Sequence, residues 1–372
     1  MYENAAALAQ RPRAVPKIRH SNLELFRIVT MLLIIASHYV SNSGLIDPGG
    51  PVFAQPLDPR SLFLLIFGAF GKTGINCFVL ITGYFMCTSH ITARKFCKLL
   101  GEVMLYRLLL LPFWITGYEP FTFGALIQAL LPVTEIGTEF VQCYLLFYLC
   151  IPFLNILLHH LNETQHLRLI ALGSLIYVLF GTLRRVQMNY ISWFIVLYFI
   201  AAYLRLYPRP IQCKTALWGW LTLAAFAVSA LSVVLWTWIG VEQQKNNAIF
   251  SYMLLYDSNA ILAAAAAVFA FLFFKSLRIR PHLWINEIAA TTFGVLLIHA
   301  NSDAMRRWLW QDVLDVVGAY GSPRFVLHAF LSVLVVFLVC ALVDMLRIRF
   351  LEPPFLRGVD RMLKRSRSTE KV

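Results

Sequence analysis

Apolar runs long enough to cross a bilayer recur along almost the whole chain, and a water-soluble fold of this size has no interior able to hide them all. A spanning helix needs roughly 17–25 predominantly apolar residues. Such runs fall near 23–43, 61–87, 96–117, 139–158, 167–183, 190–207, 214–239, 250–274, 284–304 and 325–350. Hydrocarbon offers no partner to a bare N–H or C=O, so each run is expected to close its hydrogen bonds internally as a helix. The expected fold class is therefore an all-α polytopic integral membrane protein with about ten transmembrane helices. Composition agrees: 59% of the residues are hydrophobic and only 14% charged, outside the usage of soluble domains.

Lysine and arginine collect on the cytoplasmic side of membrane proteins. With the N-terminus inside, 22 of the 32 fall on inside segments, seven on outside loops and three (Arg27, Lys72 and Arg107) within spans. That asymmetry places both termini in the cytoplasm. The net charge of +13 is accordingly a topology signal, and no nucleic-acid partner is expected. Residues 1–21 are a basic N-terminal tail carrying Pro12 and Pro16, 22–355 the ten-helix membrane domain, and 356–372 a basic C-terminal tail. The last dozen or so residues are expected to be disordered and able to rest on anionic membrane lipids. No cleavable signal peptide is expected, because the first apolar run becomes a span with no small-residue cleavage pattern behind it.

Seven cysteines, at 77, 87, 97, 143, 150, 213 and 340, lie in or beside apolar runs without a C-x-x-C pair. They are expected to be small hydrophobes and not disulfides or metal ligands, and no metal is called for. Gly68, Gly71 and Gly74 recur every third residue. A phosphate loop needs a strand before it; inside an apolar helix the same spacing lets two backbones approach closely.

The stretch L-E-L-F-R-I-V-T-M-L-L-I-I-A-S-H-Y-V, residues 23–40, carries Glu24, Arg27 and His38 where spanning helices usually exclude ionisable groups. Such residues mark functional sites. Arg27 and His38 are eleven residues apart, three turns plus about 20°, so both project from one face roughly 16 Å apart along the axis. Glu24 and Arg27, one turn apart, can pair. Glu24 cannot orient His38, being about 21 Å away along the helix. His299 sits fifteen residues into the ninth run, as His38 does in the first, so the two share a depth of about 22 Å and His299 is the candidate partner. Arg94, Lys95 and Lys98 open the third run near the level of Arg27. Blander roles exist for each: a hydrogen-bonded interior histidine for His38 or His299, a snorkelling anchor for Arg27, and simple positive-inside bias for the cluster. Lys72 and Arg107 have no partner legible in the sequence.

These residues carry a family resemblance. E-L-F-R-I-V-T-M-L-L-I-I-A-S-H resembles the first-span signature of membrane-bound acyltransferase family 3, with arginine and then, after ten residues, histidine. Further matches are G-I-N-C-F-V-L-I-T-G-Y-F at 74–85, Y-L-L-F-Y-L-C-I-P-F-L-N at 144–155, W-F-I-V-L-Y-F-I-A-A-Y-L-R at 193–205, I-N-E-I-A-A-T-T-F-G-V-L-L-I-H at 285–299 and V-D-M-L-R-I-R-F-L-E-P-P at 343–354. The chain departs from relatives at Glu139-Phe140, at the L-L-I-H of 296–299 and in its lysine-rich basic cluster, where lysine acts as a point charge and not a bidentate fork.

The resemblance implies transfer of an acyl group, commonly acetyl from acetyl-CoA as co-substrate, to a hydroxyl of a cell-surface glycan or lipid-linked sugar, in the cytoplasmic (inner) membrane of a bacterium. His38 then serves as base or transient acyl carrier, with Glu24, Arg27 and His299 completing the catalytic set. Arg27, Arg94, Lys95 and Lys98 meet the CoA phosphates or pantetheine arm. The rival reading from another class is a transporter or flippase for lipid-linked sugars, which needs no CoA.

Overall fold

The structure, a computed structural model, describes residues 20–131, 139–184, 189–245 and 248–369. Among them the regular structure is helical, with no strand. Six helices are long and apolar enough to cross a membrane: Ser21–Ser41, Pro59–Met86, Phe140–His160, Glu163–Leu183, Thr215–Glu242 and Phe325–Arg365. Leu283–His299 and Asp303–Val313 make a seventh if two arms meeting at 96° count as one span. Tyr190–Leu206 and Ile261–Ser276 are apolar but shorter.

Three of the ten expected spans take a different form. The run at 96–117 is a helix over Ala93–Arg107 that tightens through Leu108–Leu110 and restarts as Leu111–Ile115. Its first half carries Arg94, Lys95, Lys98 and Glu102, and Pro112 forces the restart because its ring removes a helical donor. The run at 250–274 is helical without interruption only from Ile261; turns containing Asp257 and Ser258 occupy its start. The run at 284–304 breaks after His299, where Ser302 begins a new helix by accepting from the Met305 N–H at 3.1 Å.

The tail expected over 1–21 lies, apart from residues 20 and 21, outside the described residues. The other end differs from expectation: Glu352–Thr369 is a helix that prolongs Phe325–Leu346 through a widened turn at Arg347–Leu351. It is held because Asp360 pairs with Arg94 at 2.9 Å, Glu352 with Lys98 at 2.5 Å, and the Phe355 ring lies over Gly101.

At the widened turn sits a buried ionic network. Arg347 Nε and Nη2 donate to the two oxygens of Asp344 at 2.5 and 3.2 Å, Nη2 also meets Glu102 at 3.0 Å, and Nη1 meets Glu352 at 3.1 Å. The Tyr106 hydroxyl donates to Asp344 at 2.6 Å. Gly294 faces the Asp344 carboxylate so closely that any Cβ there would overlap it. Every nitrogen of Arg347 thus has an anionic partner.

Ser21–Ser41 is the hub of the bundle, packed on Pro59–Gly68, Gly71–Met86, Ile261–Ser276, Leu283–Ala290 and Phe325–Leu346. Gly68, Gly71 and Gly74 lie directly against Val40, Ser37 and Ile34, where added methyl groups would collide. The close approach expected of the glycine spacing is therefore made, and it sets the helix bearing His38 against the helix bearing Lys72. At the other end, Asn22 Nδ2 donates to the Phe274, Lys275 and Leu277 carbonyls at 3.0–3.2 Å, and Ser21 Oγ to Asn286 at 3.0 Å. The Asn22 bonds fasten the start of the hub helix to the end of Ile261–Ser276, whose last carbonyls lack helical donors, and the Ser21 bond fastens it to Leu283–Ala290.

Candidate active site

His38 and His299, 261 positions apart in sequence, meet with Nδ1 of the first 3.0 Å from Nε2 of the second. The rings are 5.1 Å apart at an interplanar angle of 47°. His299 Nδ1 lies 2.6 Å from the Val295 carbonyl oxygen. A carbonyl only accepts, so His299 Nδ1 carries the proton. With both rings neutral, His299 Nε2 is then the acceptor and His38 Nδ1–H the donor. The chain of bonds fixes the tautomer of His38 and leaves its Nε2 lone pair as the basic atom.

His38 borders a cavity of about 380 Å³, within the size range of small-molecule sites. The start of Gly71–Met86 brings Lys72 into its wall, the start of Phe140–His160 brings Phe140, and the segment beyond His299 brings Arg306. Lys72 Nζ donates to the Tyr190 hydroxyl at 2.6 Å and lies 3.6 Å from Asp257. Arg306 pairs with Asp303 at 2.7 Å and with Glu139 at 3.6 Å. Each cation at this cavity is therefore matched by a carboxylate. Lys72, which the sequence left without a partner, has two that lie 118 and 185 positions away, too far for spacing to reveal.

At the opposite end of the hub helix Glu24 pairs with Arg27 at 3.5 Å, as their spacing predicted, and a quarter of the Arg27 side chain is exposed. Tyr84 sits at this end of its helix, with the Arg205 guanidinium donating to its hydroxyl at 3.0 Å and Lys275 over its ring at 5.8 Å. These two cations were missed because each closes its own helix, where basic residues ordinarily complement the dipole. Between the two ends lies an aromatic cluster of Phe78, Phe140, Tyr144 and Phe293, with ring centroids 5.6–6.2 Å apart.

Arg94, Lys95 and Lys98 are not in the wall of the His38 cavity. Arg94 and Lys98 face Asp360 and Glu352, and Lys95 Nζ donates to Ser89 Oγ at 3.0 Å and to the His90 carbonyl at 2.6 Å. A phosphate arriving here competes with carboxylates already in place. Arg107 borders a second, smaller cavity.

A bundle of helices long and apolar enough to cross a membrane, with a backbone-oriented histidine pair at a cavity, defines a class: a polytopic membrane protein with a polar site inside its bundle. A family model described as an acyltransferase domain, acyltransferase family 3, matches residues 20–345, and the chain belongs to that family. The match ends just short of Arg347 and the C-terminal helix. No curated protein and no solved structure matches the chain.

Proposed function

We propose that this membrane acyltransferase moves an acetyl group from cytoplasmic acetyl-CoA onto a hydroxyl of a cell-surface glycan or lipid-linked sugar. One observation carries the reading: the 3.0 Å contact between His38 and His299, with His299 bound in turn to the Val295 carbonyl. His38 Nε2 takes the proton of the acceptor hydroxyl as its oxygen attacks the thioester carbonyl carbon. The C–O bond forms, the tetrahedral intermediate collapses, the C–S bond breaks, and the departing CoA thiolate recovers the proton from His38. While His38 is protonated, its Nδ1–H donates to His299 Nε2, which holds the imidazolium in place; the logic is that of a base oriented by a third group.

Donor and acceptor enter from opposite sides. With both termini inside, as the lysine and arginine distribution favours, Arg27 lies near the surface where CoA is available and the His38 cavity lies in the outer half of the membrane. Arg27 meets the pantetheine arm or a phosphate, and Arg94, Lys95 and Lys98 reach the nucleotide phosphates once those displace Asp360 and Glu352.

The test is His38→Ala in protein reconstituted into nanodiscs, followed by CoA release and the mass of the acceptor. A loss of about 10²–10⁴-fold is expected, the usual contribution of a positioned base, with insertion and folding unchanged. Near-normal acylation overturns the assignment. Titration of the same protein with CoA separates the reading from that of a lipid-linked sugar transporter, for which no CoA binding is expected.

A further inference from the structure

Lys72 and Tyr190 stand in the wall of the His38 cavity with hydrogen-bond donors to spare. An ammonium carries three N–H donors and a phenol one O–H. Lys72 Nζ gives one of its donors to the Tyr190 oxygen at 2.6 Å. Asp257, 3.6 Å away, balances its charge from beyond hydrogen-bond range. The Tyr190 hydroxyl accepts the bond from Lys72 and donates to no acceptor among the described residues. We propose that Lys72 and Tyr190 form the oxyanion site of the acyl transfer, holding the thioester carbonyl oxygen as it gains charge; the inference rests on the acyltransferase reading above.

The unused donors select the ligand atom. They lack a strong acceptor, and acyl transfer creates one in the carbonyl oxygen of the tetrahedral intermediate. Arg306, the other cation in this wall, is already engaged: it donates to Asp303 at 2.7 Å and to the Ala300 carbonyl at 3.4 Å, and it faces Glu139 at 3.6 Å. The glycine contact places Lys72 beside the base. A Cβ on Gly71 would lie 2.3 Å from Ser37 Oγ, so the next residues on the two helices, Lys72 and His38, stand at one level and line one cavity. The Lys72 side chain keeps 39% of its surface accessible, enough for a ligand in that cavity to touch it. Tyr190 is the first residue of its helix, whose start is fixed by the Asn189 side chain accepting from the Ser192 N–H at 3.2 Å. Donors held in advance need no reorganisation when charge appears. As the acceptor oxygen bonds to the carbonyl carbon, the C=O π pair moves onto the carbonyl oxygen, which accepts from a Lys72 N–H and the Tyr190 O–H. On collapse that pair returns and the C–S bond breaks. Neither residue gains or loses a proton; the proton travels through His38 as above.

The test uses the full-length protein in nanodiscs, acetyl-CoA labelled with carbon-13 at the carbonyl, and octyl glucoside as acceptor, with CoA release to water as the rate where the glucoside is not acetylated. Tyr190→Phe removes one donor and no charge. Lys72→Met removes the others and strands Asp257, so Lys72→Met with Asp257→Asn is made beside it to keep the site neutral, and thermal midpoints confirm that the variants fold. Tyr190→Phe and the neutral double variant are each expected to lower kcat about 10²–10³-fold, the usual loss on removing an oxyanion donor. Both KM values are expected to stay within about twofold of wild type, because the interaction strengthens only in the transition state. The infrared C=O stretch of bound acetyl-CoA is expected below its position in water for the wild type and to move back up in both variants. Wild-type kcat in the double variant makes Lys72 a counter-charge for Asp257 and overturns the oxyanion site; so does wild-type kcat in Tyr190→Phe, or a carbonyl stretch unmoved by binding to the wild type. In each of these cases the acyltransferase reading stands as long as His38→Ala still loses transfer. No acetyl-CoA binding to the wild type overturns that reading and the oxyanion site with it.

Discussion

The His38 pair and the Arg347 network are both built from polar groups within the bundle, and they differ in what is left over. Around Arg347 every guanidinium nitrogen meets a carboxylate, and Tyr106 adds a further donor to Asp344. Around His38 one bond is made at Nδ1, and the second nitrogen stays available beside a cavity. Full satisfaction holds a structure together, whereas an unused ring nitrogen beside a cavity is free to meet a ligand. The first fastens the C-terminal helix to Ala93–Arg107; the second leaves a ring nitrogen that, in the proposed reaction, takes the acceptor's proton.

The largest test of this contrast is Arg347→Met. Removing one partner from a buried ionic network strands its carboxylates, at a cost of about 3–5 kcal/mol, and the expected outcome is loss of folded protein in a thermal scan monitored by size-exclusion chromatography. Adding Glu102→Gln and Asp344→Asn removes the stranded charge and is expected to restore part of the stability. A stable but inactive single variant would move the network from architecture into catalysis.

His299→Gln probes the other side. The amide still reaches His38 but no longer passes on the orientation imposed by Val295. The expected fall in kcat is about 10²-fold, as for a small misplacement of a reacting group, equivalent to about 2.7 kcal/mol. The acetyl-CoA KM and the thermal midpoint are expected to stay put. A stability loss as large as that of Arg347→Met, without a specific kcat defect, would make the histidine pair structural.

The smallest effect belongs to Arg94→Ala. Its bond to Asp360 joins two half-exposed side chains, so removal costs at most about 1 kcal/mol of stability, measurable as a small downward shift in the midpoint. If Arg94 meets a CoA phosphate, the acetyl-CoA KM rises as well; an unchanged KM would confine it to holding the C-terminal helix.

How much of this was legible in the sequence depends on separation along the chain. Glu24 with Arg27, and the glycine stripe, were readable because helical geometry alone fixes such neighbours. The meeting of His38 and His299 was reached by equal depth, a one-dimensional argument that works because both lie on helices crossing the same slab. Lys72 defeated it: Tyr190 and Asp257 come from a short helix and a turn, where depth no longer follows from residue count. The charges of Arg94 and Lys98 were visible, whereas their capture by Asp360 and Glu352 depends on the helix Glu352–Thr369 packing along Ala93–Arg107, which residue spacing does not reveal. Among the described residues six helices have the length and hydropathy of a span, beside a bent pair and shorter apolar helices, because hydropathy counts apolar residues and does not see Pro112, Asp257 or the turn after His299.

The glycine stripe also determines which parts of the bundle are able to move. With no side chains between them at Gly68, Gly71 and Gly74, the helix carrying His38 lies close against the end of Pro59–Gly68 and the start of Gly71–Met86, and sliding or tilting it brings their backbone into contact with Val40, Ser37 or Ile34. The two are therefore expected to move together. Opening the cavity to a bulky acceptor therefore falls to its opposite walls: the turns at 252–256, the start of Phe140–His160, and the elbow at 300–302. Spin labels on Tyr252 and Ser302 would change their distance during turnover, while labels on the two glycine-locked helices would keep theirs.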